Sequence, residues 1–415
     1  MATILFAWEL GANLGHLSRD LPLVRACRAA GHKVVYAAVN LRAAAAMLEG
    51  EGVALVQAPA LKSNIPRHTA PVNFPDMLLH EGYDDEAGLH AALTGWEGLI
   101  DLMQPSLLIY NHAPTALIAA HCRRIPTLIV GTGFEVPPPV SPQPSFRPWQ
   151  DIPQTILADA ERTAVAQINR QLTRRRMAPI TQFAELFANQ SARAGIFLTT
   201  FPELDHFGPR RHGRYIGPLY GLNEAHRAEW RSQPPQRRVF AYLRLGMPRC
   251  EQMLDALQQC DAEVVCVIPD APPEWSSRYG RLRICTEPLD LSELLPSADG
   301  VIAYGAGSIA TALLAGVPVL LLPQLAEQYI AGLALEKTGA GIMLRDQNTA
   351  SLLAGLRELL NVESFRRTAA LFAERHAQFN KEQACLFLMQ AVEAEMETSV
   401  VRSNEPGPDQ ASSLP

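Results

Sequence analysis

No two of the seven cysteines form a CxxC pair, their number is odd, and their spacing suits neither a zinc site nor a disulfide framework. Cys27, Cys122, Cys250, Cys260, Cys266, Cys285 and Cys385 are therefore expected to be reduced, mostly buried thiols. Positive charge is not in excess either: 36 Lys and Arg stand against 42 Asp and Glu, for a formal charge of −6. That removes the electrostatic footprint of a general nucleic-acid binder. No stretch approaches the ~18 consecutive apolar residues of a membrane span. Met1 to Ala7 enters an apolar run without a basic leader, so export is not expected and a cytoplasmic location is. Charged residues are only 19% of the chain, but with 48% hydrophobic residues this is an ordinary folded composition and not a disordered one. The 415 residues exceed what one core usually organises, which predicts two domains of roughly 200 residues each.

The pattern along the chain alternates strand and helix. Thr3 to Leu10 reads as an apolar strand, Gly11 to His16 as a glycine-containing loop, Leu17 to Ala30 as a helix stopped by Gly31, and Lys33 to Val39 as the next strand. This is a βαβ unit with its loop at the carboxyl end of the first strand, where ligands bind in such sheets. Leu107 to Tyr110, a helix from Pro114 to Cys122 and Thr127 to Val130 continue the parallel pattern. Prolines crowd between Pro137 and Pro153 around Phe146 and Trp149; this loop either walls a substrate cleft or is a rigid connector stapled down by its aromatics.

The expected domains are an N-terminal domain over 1–221, a linker over 222–238 rich in Arg, Gln, Pro and Ser, and a C-terminal domain over 239–380. A crossing helix over 381–397 and a disordered tail over 398–415 complete the chain. Strands are expected in the second domain at Val239–Leu243, Glu263–Ile268, Leu282–Cys285, Gly300–Tyr304 and Val317–Leu322.

Three sets of residues are able to carry chemistry. Gly305-Ala306-Gly307-Ser308 follows an apolar strand and opens a helix, so its N–H groups and the helix dipole suit a phosphate, although close helix-on-strand packing explains glycines equally well. A dinucleotide site would need an acidic residue about 20 positions later. That region reads Leu322-Pro323-Gln324, and the first loop fails the same test at Val39-Asn40. His16, at a strand-to-helix turn, is a candidate base for a hydroxyl proton, with a capping or packing role as the plainer reading. Asn111 and His112 end the Leu107 strand at the same sheet edge. An asparagine orients an imidazole but does not stabilise imidazolium as a carboxylate does. Arg174-Arg175-Arg176 leaves a peripheral membrane contact open beside the simpler reading of a solvated helix face.

Four passages resemble the bacterial nucleotide-sugar glycosyltransferases of the GT-B fold, related to the macrolide and UDP-glucuronosyl or glucosyl transferases. They are Trp8 to Leu17 with Gly31-His32; Gly131 to Pro138 with Thr200 to Asp205 and Tyr215 to Pro218; Glu287 to Asp299; and Gly305 to Ser308 with Leu314 to Pro318, Pro323, Glu327-Gln328 and Gly339 to Gly341. The resemblance implies two Rossmann-like α/β domains facing each other across a cleft, with the C-terminal helix packing back toward the N-terminal domain. It implies an inverting transfer from a nucleotide-diphosphate sugar, UDP being the commonest choice, to a hydroxyl of a small acceptor, without metal or bound cofactor. His16 would be the base and Asn111 its partner.

The donor would meet Gly15, Arg244, Glu287, Leu289, Tyr304, Gly305, Ala306, Gly307, Ser308, Glu327 and Gln328. The acceptor would meet His112, Phe134, Phe146 and Trp149, and the apolar stretch with Phe74, Met77, Leu78 and Tyr83 hints at a lipophilic one. Two positions depart from the family. Ala303 stands where the donor loop usually has histidine, leaving Tyr304 or the backbone to hold the phosphate, and Asn111 stands where many relatives have aspartate. Both lower the expected rate. They keep open a non-catalytic partner of another enzyme, while an epimerase or hydrolase on the same fold is a third reading.

Overall fold

The computed structural model describes residues 1–11, 14–65, 68–191, 195–221, 226–231 and 236–403. The chain divides into two units. The first holds Met1–Thr199, Arg210–Gly221 and the C-terminal stretch from Lys381; the second holds Thr200–Pro209 and Leu222–Asn380.

Seven parallel strands build the first unit: β1 (Thr3–Trp8), β2 (Lys33–Ala38), β3 (Ala54–Gln57), β4 (Leu107–Asn111), β5 (Thr127–Gly131), β6 (Ile196–Leu198) and β7 (Arg214–Tyr215), in the order β3-β2-β1-β4-β5-β6-β7. Ile4 to Trp8 and Leu107 to Asn111 are fully buried, as central strands covered on both faces must be. The β1–β4 register pairs Ile4 with Leu107 and Trp8 with Asn111. Strand order reverses between these two strands, so their carboxyl ends border the crevice where such sheets bind ligands. Helix Gly15–Ala29 springs from this point. Gly31 stops it with φ +81°, a left-handed turn that costs a residue without Cβ little.

The segment 137–153 is packed, not open. Gln143 is fully buried with its N–H on Glu161, and Phe146 is buried with its N–H on the Val72 carbonyl at 2.7 Å. Trp149 stays exposed. The stapled-connector reading therefore describes this loop for all but its outer edge. Arg174 and Arg175 are likewise engaged: Arg174 pairs with Glu86, and Arg175 binds both carboxylate oxygens of Glu97 at 2.8 and 3.1 Å. Arg174 and Arg175 thus fasten the end of helix Gln154–Arg174 to helix Glu86–Met103. Among the described residues no helix is long and apolar enough to cross a membrane.

The second unit repeats the plan with β9 (Arg237–Tyr242), β10 (Ala262–Val267), β11 (Leu282–Cys285), β13 (Gly300–Ala303), β14 (Val319–Leu321) and β15 (Gly341–Met343), all parallel, in the order β11-β10-β9-β13-β14-β15. A two-stranded ladder, β8 (His226–Arg227) with β12 (Leu289–Asp290), lies beside it. Two boundaries differ from expectation. The proposed linker over 222–238 is partly built into this unit, since β8 pairs with β12 and the Trp230 indole donates to the Leu294 carbonyl at 2.9 Å; residues 222–225 and 232–235 lie outside the described residues. Thr200–Pro209 joins the second unit through Glu203, which accepts from Arg375 at 2.8 Å, and His206, which meets Glu327 at 3.0 Å.

Helix Lys381–Ser403 returns to the first unit, as expected of a crossing helix, and continues past the expected end at 397. The remainder of the expected disordered tail, 404–415, lies outside the described residues. Leu388 and Val392 are fully buried, and His32 Nε2 meets Glu393 Oε1 at 3.0 Å. Leu388→Ala is expected to destabilise this unit by about 2–5 kcal/mol. Thermal unfolding reads this as a lowered Tm; an unchanged Tm would contradict the packing of this helix.

Candidate active site

At the carboxyl ends of β1, β4 and β5, five side chains form one hydrogen-bonded group. His16, on the first turn of helix Gly15–Ala29, places Nδ1 2.8 Å from Asn111 Oδ1 and 3.3 Å from Glu135 Oε1. One turn later Arg19, buried, donates to Glu135 Oε2 and to Asn111 Oδ1. The amide group of Asn111 donates to Asp20 Oδ2 at 2.6 Å and to the His16 carbonyl at 3.2 Å. Its orientation follows from these partners: donors converge on its oxygen and acceptors on its nitrogen. Tyr36 closes the back of the group by donating to Asp20 at 2.8 Å.

This geometry sets the state of the imidazole. Two oxygen acceptors face Nδ1, so Nδ1 carries the proton, and in the neutral ring the lone pair is then on Nε2. Trp8 stacks on one side of the ring at 5.6 Å and His112 at 5.9 Å. Gly11, at φ +87°, lies so close that a Cβ built there would stand 2.5 Å from Nε2.

Burial alone would raise the Glu135 carboxyl, but Arg19, then His16 and His112, outweigh it and hold the pKa at about 2. The group is thus a carboxylate, the charge that Asn111 lacks for stabilising an imidazolium. Sequence reading missed Glu135, although it sits in the Gly131 to Pro138 passage. Its signal was a carboxylate four residues past the end of a strand adjoining that of Asn111, which becomes informative only once strand order is known. Asp20 is pushed up to about 6 by burial, with Arg19, Tyr36 and Asn111 opposing. His112 is pushed down to about 3 by burial, partly offset by Glu135, so it is a neutral stacking partner and no second base.

Among the described residues His16, His112 and Glu135 bring ligand-type atoms within 4.8 Å of one another. Both Glu135 oxygens are already engaged, by His16 on one side and by Arg19 and the Thr132 N–H on the other. The buried guanidinium would also repel a divalent ion, so the set does not fit a metal.

The expected acceptor residues are placed unequally. Phe134 and Phe146 lie 4.8 Å apart, and Phe146 is fully buried, so it is core and not an acceptor contact. The same correction applies to Phe74, Leu78 and Tyr83, whose apolar character is spent on the core. His112 adjoins His16, and Phe134 adjoins His112, with ring centroids 6.3 Å apart.

In the second unit, Gly305 to Ser308 forms the N-terminus of helix Ala306–Leu314, partly open, without a side-chain cap on Gly305. The first-turn N–H groups of such a helix lack intrahelical partners, and the dipole favours an anion there. Tyr304 stacks on Tyr242 at 5.4 Å; burial, then Tyr242, pushes its phenol well above the usual range. That hydroxyl is shared with Tyr242, which weakens it as a replacement for the missing histidine. Arg244 lies exposed near enough to Tyr304 to oppose this shift.

Gln328 is buried, with Oε1 accepting the Gln324 N–H at 2.7 Å, so it shapes the loop, while Glu327 is held by His206. Leu289 is buried in the core, a correction to its expected contact with the donor, and Glu287 is exposed and paired with His226. Gly15 is exposed as the first helical residue of the first unit, apart from the donor loop's own unit.

Residues 251–383 match the family model described as "Erythromycin biosynthesis protein CIII-like, C-terminal domain". The chain is 30% identical over 178 residues to the PGL/p-HBAD biosynthesis glycosyltransferase of Mycobacterium tuberculosis (strain ATCC 25177 / H37Ra), a match covering 40% of each chain. It is 34% identical over 131 residues to the TDP-daunosamine transferase DnrS of Streptomyces peucetius, covering 30% of each. These matches span about two fifths or less of the relatives' own length. The glycosyltransferase SsfS6 of Streptomyces sp. SF2575, solved with thymidine diphosphate, shares the fold: TM-score 0.62, 19% identity, 94% of this chain and 100% of that one.

Removing one member of the buried pair leaves the other uncompensated, at a cost of about 3–5 kcal/mol. Glu135→Gln is expected to lose stability of that order at pH 7. A carboxyl held near 2 in the fold, against an ordinary value of 4.5, contributes above about pH 4.5 and loses that contribution as pH falls toward 2. Urea unfolding across this range is expected to show wild type and variant converging as pH falls; a difference constant with pH would contradict the assignment.

Proposed function

We propose, from a chain whose second unit carries an erythromycin biosynthesis protein CIII-like domain within the fold of a bacterial GT-B glycosyltransferase, that it moves a sugar from a nucleoside-diphosphate sugar to a hydroxyl of a small, largely apolar acceptor. The observation that carries this reading is the Nδ1 of His16 held between Asn111 Oδ1 and Glu135 Oε1. An imidazole fixed in that tautomer presents a basic Nε2 and is built to accept a proton.

In the reaction, the acceptor hydroxyl passes its proton to His16 Nε2 as its oxygen bonds to the anomeric carbon. The bond from that carbon to the diphosphate oxygen breaks, and the nucleoside diphosphate leaves with the electron pair. Attack from the face opposite the leaving group inverts the anomeric configuration. Glu135 stabilises the imidazolium, a role the sequence alone left empty when Asn111 stood in place of an aspartate. The N–H groups of Ala306, Gly307 and Ser308 hold the departing diphosphate. DnrS is a TDP-daunosamine transferase and SsfS6 was solved with thymidine diphosphate, which supports a thymidine donor ahead of the uridine one expected from the sequence. No protein metal has a part in this scheme, and a cytoplasmic location belongs to the same proposal.

His16→Ala is expected to lower transfer by about 10²–10⁴-fold, while thymidine diphosphate binding, read by calorimetry, stays near wild type. Ser308→Trp is expected to abolish that binding. Unchanged turnover in His16→Ala would overturn the mechanism. Failure of both thymidine and uridine diphosphates to bind wild type would favour the non-catalytic partner, and sugar release or epimerisation without acceptor would favour the third reading.

A further inference from the structure

Two buried carboxyl groups stand in the His16 group with one guanidinium between them. Arg19 donates to Glu135 Oε2 and Asn111 Oδ1, while its Nε stays 4.0 Å from Asp20 Oδ1. The charge of Glu135 is therefore balanced by a cation in direct contact with it. Asp20, 2% exposed, is held instead by neutral donors: its Oδ2 accepts from the Tyr36 hydroxyl at 2.8 Å and from the Asn111 amide at 2.6 Å. With both carboxyl groups ionised, two negative charges stand against the one positive charge of Arg19. The group then carries one surplus negative charge while His16 is neutral, and none once the imidazole has taken a proton.

We propose that Asp20 is a positioning residue that acts on the base through Asn111, holding the amide with its oxygen toward His16 Nδ1 and supplying the surplus charge that strengthens Nε2 as a proton acceptor. The path is continuous: Asp20 Oδ2 accepts from Asn111 Nδ2, and Asn111 Oδ1 stands 2.8 Å from His16 Nδ1. A carboxylate drawing on the amide N–H raises electron density on the amide oxygen, because hydrogen bonds in a chain polarise one another, and burial strengthens each link. His16 and Asp20 are four residues apart on helix Gly15–Ala29 and so share one face of it. Asn111 spans that turn, its amide group also donating to the His16 carbonyl at 3.2 Å.

The charged groups that face Asp20 are Arg19 on its own helix and Glu135 after β5; Tyr36 from β2 and Asn111 from β4 are uncharged, and the Tyr36 phenol is pushed well above its usual range by burial, then by Asp20. Burial pushes the Asp20 carboxyl up to about 6, with Glu135 reinforcing and Arg19, Tyr36 and Asn111 opposing, so Asp20 is ionised above that pH and the surplus charge exists there. A neutral side chain would hold Asn111 and Tyr36 without the cost of a buried charge, which a purely structural role does not require. On the transferase reading, which this inference deepens, the proton of the acceptor hydroxyl arrives at a group whose charge it completes.

The test follows the His16 imidazole of the full chain by nitrogen-15 NMR as pH is varied, without substrate, in wild type and in Asp20→Asn. The variant keeps an oxygen acceptor for Tyr36 and Asn111 and removes only the charge. It is expected to lower the His16 pKa by about 1, with a Tm that shows the fold intact; a side chain serving structure alone would leave the titration in place. An unchanged His16 titration in Asp20→Asn would overturn the proposal. Carbon-13 NMR of the Asp20 carboxyl in wild type needs no variant: the group is expected to ionise at about pH 6, and a carboxyl still protonated at about pH 7.5 would overturn the proposal equally. Thymidine and uridine diphosphate binding is read by calorimetry in the same samples. If a nucleotide binds and the His16 titration does not move, the role of Asp20 alone fails; if the titration moves and neither nucleotide binds, the transferase reading alone fails.

Discussion

The buried guanidinium of Arg19 is the interaction on which the first unit's chemistry depends. It donates to Glu135 and Asn111 together, and those two side chains are the ones that face His16 Nδ1. A carboxylate in this position without Arg19 would be raised by burial and would tend to take up a proton. With Arg19 it stays ionised, so one cation fixes the charge of Glu135, the orientation of Asn111 and, through both, the tautomer of His16. The cost of burying Arg19 is offset by the carboxyl groups of Glu135 and Asp20 that surround it.

Three strands bring these groups together, and their order does so without any long-range sequence signal. β1 leads into the loop before His16, β4 ends on Asn111, and the turn after β5 carries Glu135. Since β1, β4 and β5 are adjacent in the parallel sheet, their carboxyl ends converge on the point where strand order reverses.

Much of this was legible from residues alone. The apolar runs at Thr3, Lys33, Leu107 and Thr127 are strands within a residue or two of their expected ends; strand-end positions put Asn111 and His112 both within reach of His16, and the family resemblance singled out Asn111. The short strands at 54–57, 196–198 and 341–343 were not anticipated, because three or four residues carry too little periodicity to distinguish from a loop. Burial was the harder quantity. Phe146, from its place in the proline-rich loop, and Leu289 and Gln328, from the family resemblance, are expected ligand contacts, yet each is buried within its own unit, and sequence position gives no sign of which way a side chain faces. Glu135 was missed for the opposite reason: a lone glutamate between apolar residues has no signature until Arg19 is seen beside it.

The central claim is that His16 is poised with its proton on Nδ1 and a basic Nε2. Nitrogen-15 NMR of the imidazole, in the full chain at pH 7.5 and without any substrate, reads this directly. The account predicts a protonated Nδ1 and an unprotonated Nε2 for His16 in wild type. A His16 protonated on Nε2, or exchanging evenly between the two tautomers in wild type, would contradict it.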